Sequence, residues 1–155
     1  VYLAAIGGHP EVMQILLREG VDLKGDVGEK CLVGAARNGH AEVVQFLLQA
    51  GVDVDSGNED ISGPALIDAA GGGHIDVVRI LLNAGADVNG RNKNHWTALM
   101  SAAQHGHTEI TRVLVEAGAD VNAGSENDWT ALKLAKENRY APIVELLRAA
   151  GAEEQ

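Results

Sequence analysis

From Trp96 to Gly124 the chain reads WTALMSAAQHGHTEITRVLVEAGADVNAG, and this stretch decides the fold. Thr97 to His105 is short, Ala-rich and suited to a helix, and Gly106 stops it, because glycine accepts a left-handed turn without steric cost. Thr108-Glu109 then opens a second helix, placing a hydroxyl acceptor and a carboxylate where free amides and the positive end of the dipole collect. Ile110, Val113, Leu114 and Ala117 follow at helical spacing as an apolar stripe, Gly118 ends the helix, and Ala119-Asp120-Val121-Asn122 leads out. The unit is two helices and an extended arm.

The same unit recurs along the chain. The tripeptide Gly-(Val/Ala)-(Asp/Glu) begins at Gly20, Gly51, Gly85, Gly118 and Gly151, with steps of 31, 34, 33 and 33 residues. Gly8-His9, Gly39-His40, Gly73-His74 and Gly106-His107 each stand twelve residues before one of these glycines, and the fifth slot holds Arg139-Tyr140. Pro10-Glu11, Ala41-Glu42 and Ile75-Asp76 start further second helices, whose stripes carry Leu16-Leu17, Leu47-Leu48 and Leu81-Leu82. A helix pair this short cannot bury its apolar face alone, so units with this period stack around one shared core. About five units are expected in a single domain, near 1–24, 25–57, 58–90, 91–123 and 124–155. Lys136, Glu137 and Arg139 replace small or neutral residues in the last unit, as a helix without a further neighbour requires. Val1-Tyr2-Leu3-Ala4-Ala5 aligns with Leu99-Met100-Ser101-Ala102-Ala103, so the first unit is expected to be incomplete, with more of the array ahead of it.

Composition excludes several functions. A formal net charge of -10 opposes binding to a phosphate backbone or an anionic membrane, and no apolar run approaches the roughly 20 residues of a spanning helix. Cys31 is the one cysteine, which excludes an internal disulfide and fits a reducing compartment. The opening Val1-Tyr2-Leu3 has neither the basic start nor the cleavage site of a signal peptide. A monomer in the cytoplasm is the expectation.

Gly-His, the Leu-Leu stripe and Gly-Ala-Asp-Val-Asn recurring in phase, together with Thr97-Ala98-Leu99-Met100 and Thr130-Ala131-Leu132-Lys133, resemble ankyrin repeats over essentially the whole chain. The resemblance implies an all-α solenoid of stacked antiparallel helix pairs with projecting β-hairpin-like arms. Lys30-Cys31-Leu32-Val33 and Pro64-Ala65-Leu66-Ile67 depart from the family's Thr-Pro-Leu-His core, and irregular arms are expected there. The short and long steps place a deletion between Val21 and Glu29 and an insertion between Asp55 and Asp60.

No residues form a catalytic, cofactor or metal site in this reading. His9, His40, His74 and His107 stand too far apart to share an ion, since helices pack roughly 8–10 Å apart and zinc takes ligands at about 2 Å. The resemblance makes them structural, bonded to neighbouring backbone. Gly71-Gly72-Gly73 lacks the ending of a phosphate loop and is expected to soften its helix. Asp68 is read as a lone carboxylate with no acid, His or Lys partner, and Asn89 and Asn122 as turn stabilisers.

The family's binding surface, its arm tips and exposed first-helix positions on a concave face, points to another protein as partner. Carried onto this chain, the tips are Asp26, Val27 and Glu29, then Asp60 and Ile61, then Lys93, Asn94 and Trp96, then Glu126, Asn127 and Trp129. The first helices add Arg37, Asn38, Asp68, Ser101, Gln104 and His105. Trp96 and Trp129 are the foremost candidates, because two indoles at equivalent sites of adjacent arms can each bury about 150–250 Å². The acidic tips near Asp53 and Asp55 would steer a basic segment. Two other readings stay open: a structural spacer or fragment of a longer multidomain protein, and an engineered binder, which the uneven framework at Lys30-Cys31 disfavours.

Overall fold

The computed structural model describes residues 1–58 and 63–153. Its helices come in pairs: α1 (Tyr2–Ile6) with α2 (Pro10–Arg18), α3 (Asp26–Arg37) with α4 (Ala41–Gln49), α5 (Ala65–Gly72) with α6 (Ile75–Asn83), α7 (Ala98–His105) with α8 (Thr108–Glu116), and α9 (Ala131–Glu137) with α10 (Ala141–Ala149). First helices pack on first helices and second on second, giving two layers. The fold is the all-α solenoid that the resemblance implies.

The two layers use different side chains. Ala35, Ala36, Ala69, Ala70, Ala102, Ala103 and Ala135 are fully buried in the first layer, while Leu47, Leu81, Leu114 and Leu147 are fully buried in the second. Small residues in the first layer and leucines in the second suit a closer approach of the first helices. The first-helix layer, with the arms ahead of it, is the inner face.

Three of the four junctions are tied by histidines. His40 Nε2 meets Ile6 O at 2.8 Å, His74 Nε2 meets Arg37 O at 3.0 Å, and His107 Nε2 meets Gly71 O at 3.0 Å. His40, His74 and His107 are thus bonded to neighbouring backbone, as the resemblance implied, whereas His9 is exposed and makes no such bond among the described residues. Gly8, Gly39, Gly73 and Gly106 make the turn before each such slot with φ between 73° and 79°, and a side chain there would strike the ring of the next unit. Tyr140 takes the fifth slot and lays its ring on Gly106.

A second ladder runs along the arms. Asp55 Oδ1 accepts from Asp87 N at 2.8 Å, Asn89 Oδ1 from Asp120 N at 2.8 Å, and Asn122 Oδ1 from Glu153 N at 2.8 Å. Asn89 and Asn122 also donate to Gly118 O and Gly151 O. These asparagines bond across units, which corrects their reading as local turn stabilisers.

The arm of the second unit departs most. Asp26, Val27 and Glu29 were expected at a tip, but they form the first turn of α3, which is 12 residues long against 8 in α5 and α7. The shortened step leaves too little chain for a loop. Asp26 and Glu29 suit a helix N-terminus, and Lys30 adds an i,i+4 pair to Asp26 at 2.7 Å. Gly28 is buried because a Cβ there would overlap Leu23 O. In the next arm, β1 (Gly57–Asn58) pairs antiparallel with β2 (Gly63–Pro64). Asp60 and Ile61 lie outside the described residues.

Candidate partner-binding face

The arms preceding α7 and α9 are built alike. Asn92 N donates to Trp96 O at 3.1 Å, while Asn92 Oδ1 accepts from Asn94 N and Trp96 N at 3.0 Å each. Ser125 N donates to Trp129 O at 2.9 Å, and Ser125 Oγ accepts from Trp129 N at 3.1 Å. His95 and Asp128 close the two loops at φ 58° and 57°. The loops join through Glu126 N donating to Asn94 O at 3.1 Å. Thr97 and Thr130 then cap α7 and α9 through their hydroxyls.

This geometry holds Lys93, Asn94, Glu126 and Asn127 exposed at adjacent tips. Trp96 and Trp129 are half-buried, each resting against the core with part of the indole open. The Lys133 ammonium lies 5.1 Å from the centroid of the Trp129 ring, a cation–π contact that fixes the ring's outer side.

On the first helices, Arg37 forks onto Asp68 with N–O distances of 3.2–3.3 Å across the α3–α5 junction. Asp68 is therefore paired, which overturns its reading as a lone carboxylate; arginine was missing from the partners considered. Ser101 is 7% exposed because Gly71 lets it approach α5, so it packs between helices rather than facing solvent. Gln104 and His105 are exposed, His105 Nδ1 meets Ser101 O at 2.9 Å, and its ring stacks on His107 at 6.1 Å. Asn38 is exposed while its amide donates to Gly34 O, finishing α3.

A family model for ankyrin repeats (3 copies) matches residues 1–58 and 66–155. The chain belongs to the ankyrin-repeat family. A search of curated proteins found no match. Ankyrin repeats are generally protein–protein interaction modules. Among the described residues no group of three or more His, Cys, Asp or Glu is placed to hold a metal, and no helix is long and apolar enough to cross a membrane. Cys31 is buried in α3, and that burial pushes its thiol pKa up, so the site favours the unreactive protonated form.

Sequence reasoning missed one feature of this ankyrin array. Beside the shortened second arm lies an open groove of about 950 Å³ whose lining includes Asp26, Glu29, Asp53, Asp55, Arg91, Lys93 and His95. The signal for it was the 31-residue step, which marks a missing arm but not what lines the gap.

Proposed function

We propose that this ankyrin array is a binding module that takes another protein on its inner face, with no catalysis and no cofactor. The contact is centred on Trp96 and Trp129. Lys93, Asn94, Glu126 and Asn127 surround them at the arm tips, and Arg37, Asn38, Asp68, Gln104 and His105 extend the surface along the first helices. Ser101 supports this surface from beneath. One observation carries the reading: two half-buried indoles stand at equivalent positions on rigid, mutually hydrogen-bonded loops. A preorganised aromatic pair loses little entropy on binding, and Trp is enriched among residues that dominate interface energy.

The test is affinity capture followed by titration of whatever partner the array retains. Trp96→Ala with Trp129→Ala should weaken a captured partner by roughly 30-fold or more, the scale of a lost hot spot. Arg112→Ala and Glu116→Ala, on exposed positions of α8 in the outer layer, should leave affinity within about twofold. Retained affinity in the tryptophan pair, with loss in the α8 variants, would place the contact on the other side and end this reading.

A further inference from the structure

The groove beside the shortened second arm has a lining unlike that of an ordinary ligand pocket. Its volume of about 950 Å³ would admit a small molecule, but small-molecule sites are walled mainly by apolar and aromatic side chains. Neither tryptophan lines this one, and charged side chains dominate it. The charges are sorted by element. Asp26 and Glu29 stand in the first turn of α3, and Asp53 and Asp55 on the lead into β1. Arg91 and Lys93 stand on the arm that precedes α7. The β1–β2 hairpin lies between α3 and that arm, since α3 packs on β1 and Gly63 of β2 lies against Asn92.

Little in the protein neutralises these groups. Asp26 pairs with Lys30, but Glu29, Asp53 and Asp55 have no ion pair among the described residues. Asp53 and Asp55 accept from the backbone amides of Asp55 and Asp87, which leaves their charge uncompensated. The side chains of Arg91 and Lys93 are exposed and make no hydrogen bond or ion pair among the described residues. Carboxylates on one side of a hairpin and open cations on the other specify a ligand with the reverse order of charge.

We propose that the groove takes an extended segment of the partner protein, lying across β1–β2, with basic residues on the α3 side and acidic residues against Arg91 and Lys93. This rests on the reading of the inner face as the partner surface, which the groove continues through Lys93. A wholly basic tail meets repulsion at Arg91 and Lys93, and a phosphorylated segment meets it at the carboxylates. From α3 to the arm before α7 is two steps of the stack, roughly 16–20 Å at the usual helix spacing. An extended chain rises about 3.3 Å per residue, so about five residues separate the basic from the acidic positions.

The probe is a fluorescein-labelled synthetic peptide with lysines at one end and glutamates at the other, separated by about five uncharged residues and titrated by anisotropy. The control carries glutamines in place of the glutamates. A net charge of -10 attracts any basic peptide, so affinity alone decides nothing, and the sign of a substitution does. Arg91→Gln with Lys93→Gln makes the chain more acidic, yet should weaken the lysine–glutamate peptide about threefold or more while strengthening the control. Glu29→Gln with Asp53→Asn should weaken both peptides by a similar factor, and the asparagine keeps the acceptor that Asp55 N uses. If the arginine–lysine substitutions strengthen both peptides, or the carboxylate substitutions change neither, the proposal is overturned. The inner-face reading has its own readout, because Trp96→Ala with Trp129→Ala leaves the groove lining intact and weakens a captured partner whichever way the peptides behave.

Discussion

Arg139 sits at φ 60° in the slot where Gly8, Gly39, Gly73 and Gly106 make the same turn. A Cβ costs about 1–2 kcal/mol in left-handed conformation, so Arg139→Gly should stabilise the array by about 1 kcal/mol in urea unfolding. Gly72 gives the opposite sign. It ends α5, where Ala is ordinarily favoured by about 1 kcal/mol, but a Cβ would stand 2.6 Å from the His74 ring and 3.2 Å from Arg37 O. Gly72→Ala should therefore lose about 1–2 kcal/mol net, as overpacking does. Gly71 and Gly72 are held by close contact, a reason that chain-local propensity alone does not contain. Cys31 adds a pH dependence. Its thiol pKa is raised by burial, so below the ordinary value of 9.0 both folded and unfolded states keep the proton. Above that value the unfolded chain loses its proton first, and stability should fall. The urea midpoint should decline more steeply from pH 8 to 10 in the native chain than in Cys31→Ala.

At the scale of elements, the arm ladder predicts that Asn89→Ala costs about 1–2 kcal/mol, because it leaves Asp120 N and Gly118 O without their partner. Asn89→Asp should cost less, since the acceptor remains, as in Asp55. Thermal unfolding of the two variants separates these outcomes. The helices and their order were legible because glycine stops, threonine caps and leucine stripes are local signals. The deletion before Glu29 was legible as a break in the count, and it does leave an irregular arm. Its structural result was not, because whether a shortened arm closes as a loop or joins α3 depends on the fit of Gly28 against Leu23 and Val52, which lie on either side of α3 in the chain. The same limit applies to Arg37 and Asp68, which stand 31 residues apart and meet only through stacking. Ser101 was placed on the open surface for a related reason: the glycine that draws it inward belongs to another helix.

Across the whole molecule, the main helix contacts among the described residues run within a pair or between neighbouring pairs, so stability is a sum of pairs and junctions. The junctions are unequal. Lys24 stands in the slot that Asp55, Asn89 and Asn122 fill in later units, and an ammonium group cannot accept the bond that those side chains take. The junction between the first two helix pairs thus lacks the arm bond, beside the place where the second arm is itself absent. This has a mechanical consequence. Pulled by its two ends, the array is a chain of unequal links, and the first to part should be α1–α2 from α3–α4. A single-molecule stretching trace should show an early, low-force release of about 20–25 residues, roughly 70–90 Å of contour, before the later units yield. If the first release is instead a step of about 110 Å, the length of a full unit of roughly 33 residues, the weak link lies elsewhere. A missing hydrogen bond at Lys24 would then be read out as the order in which a tether lengthens.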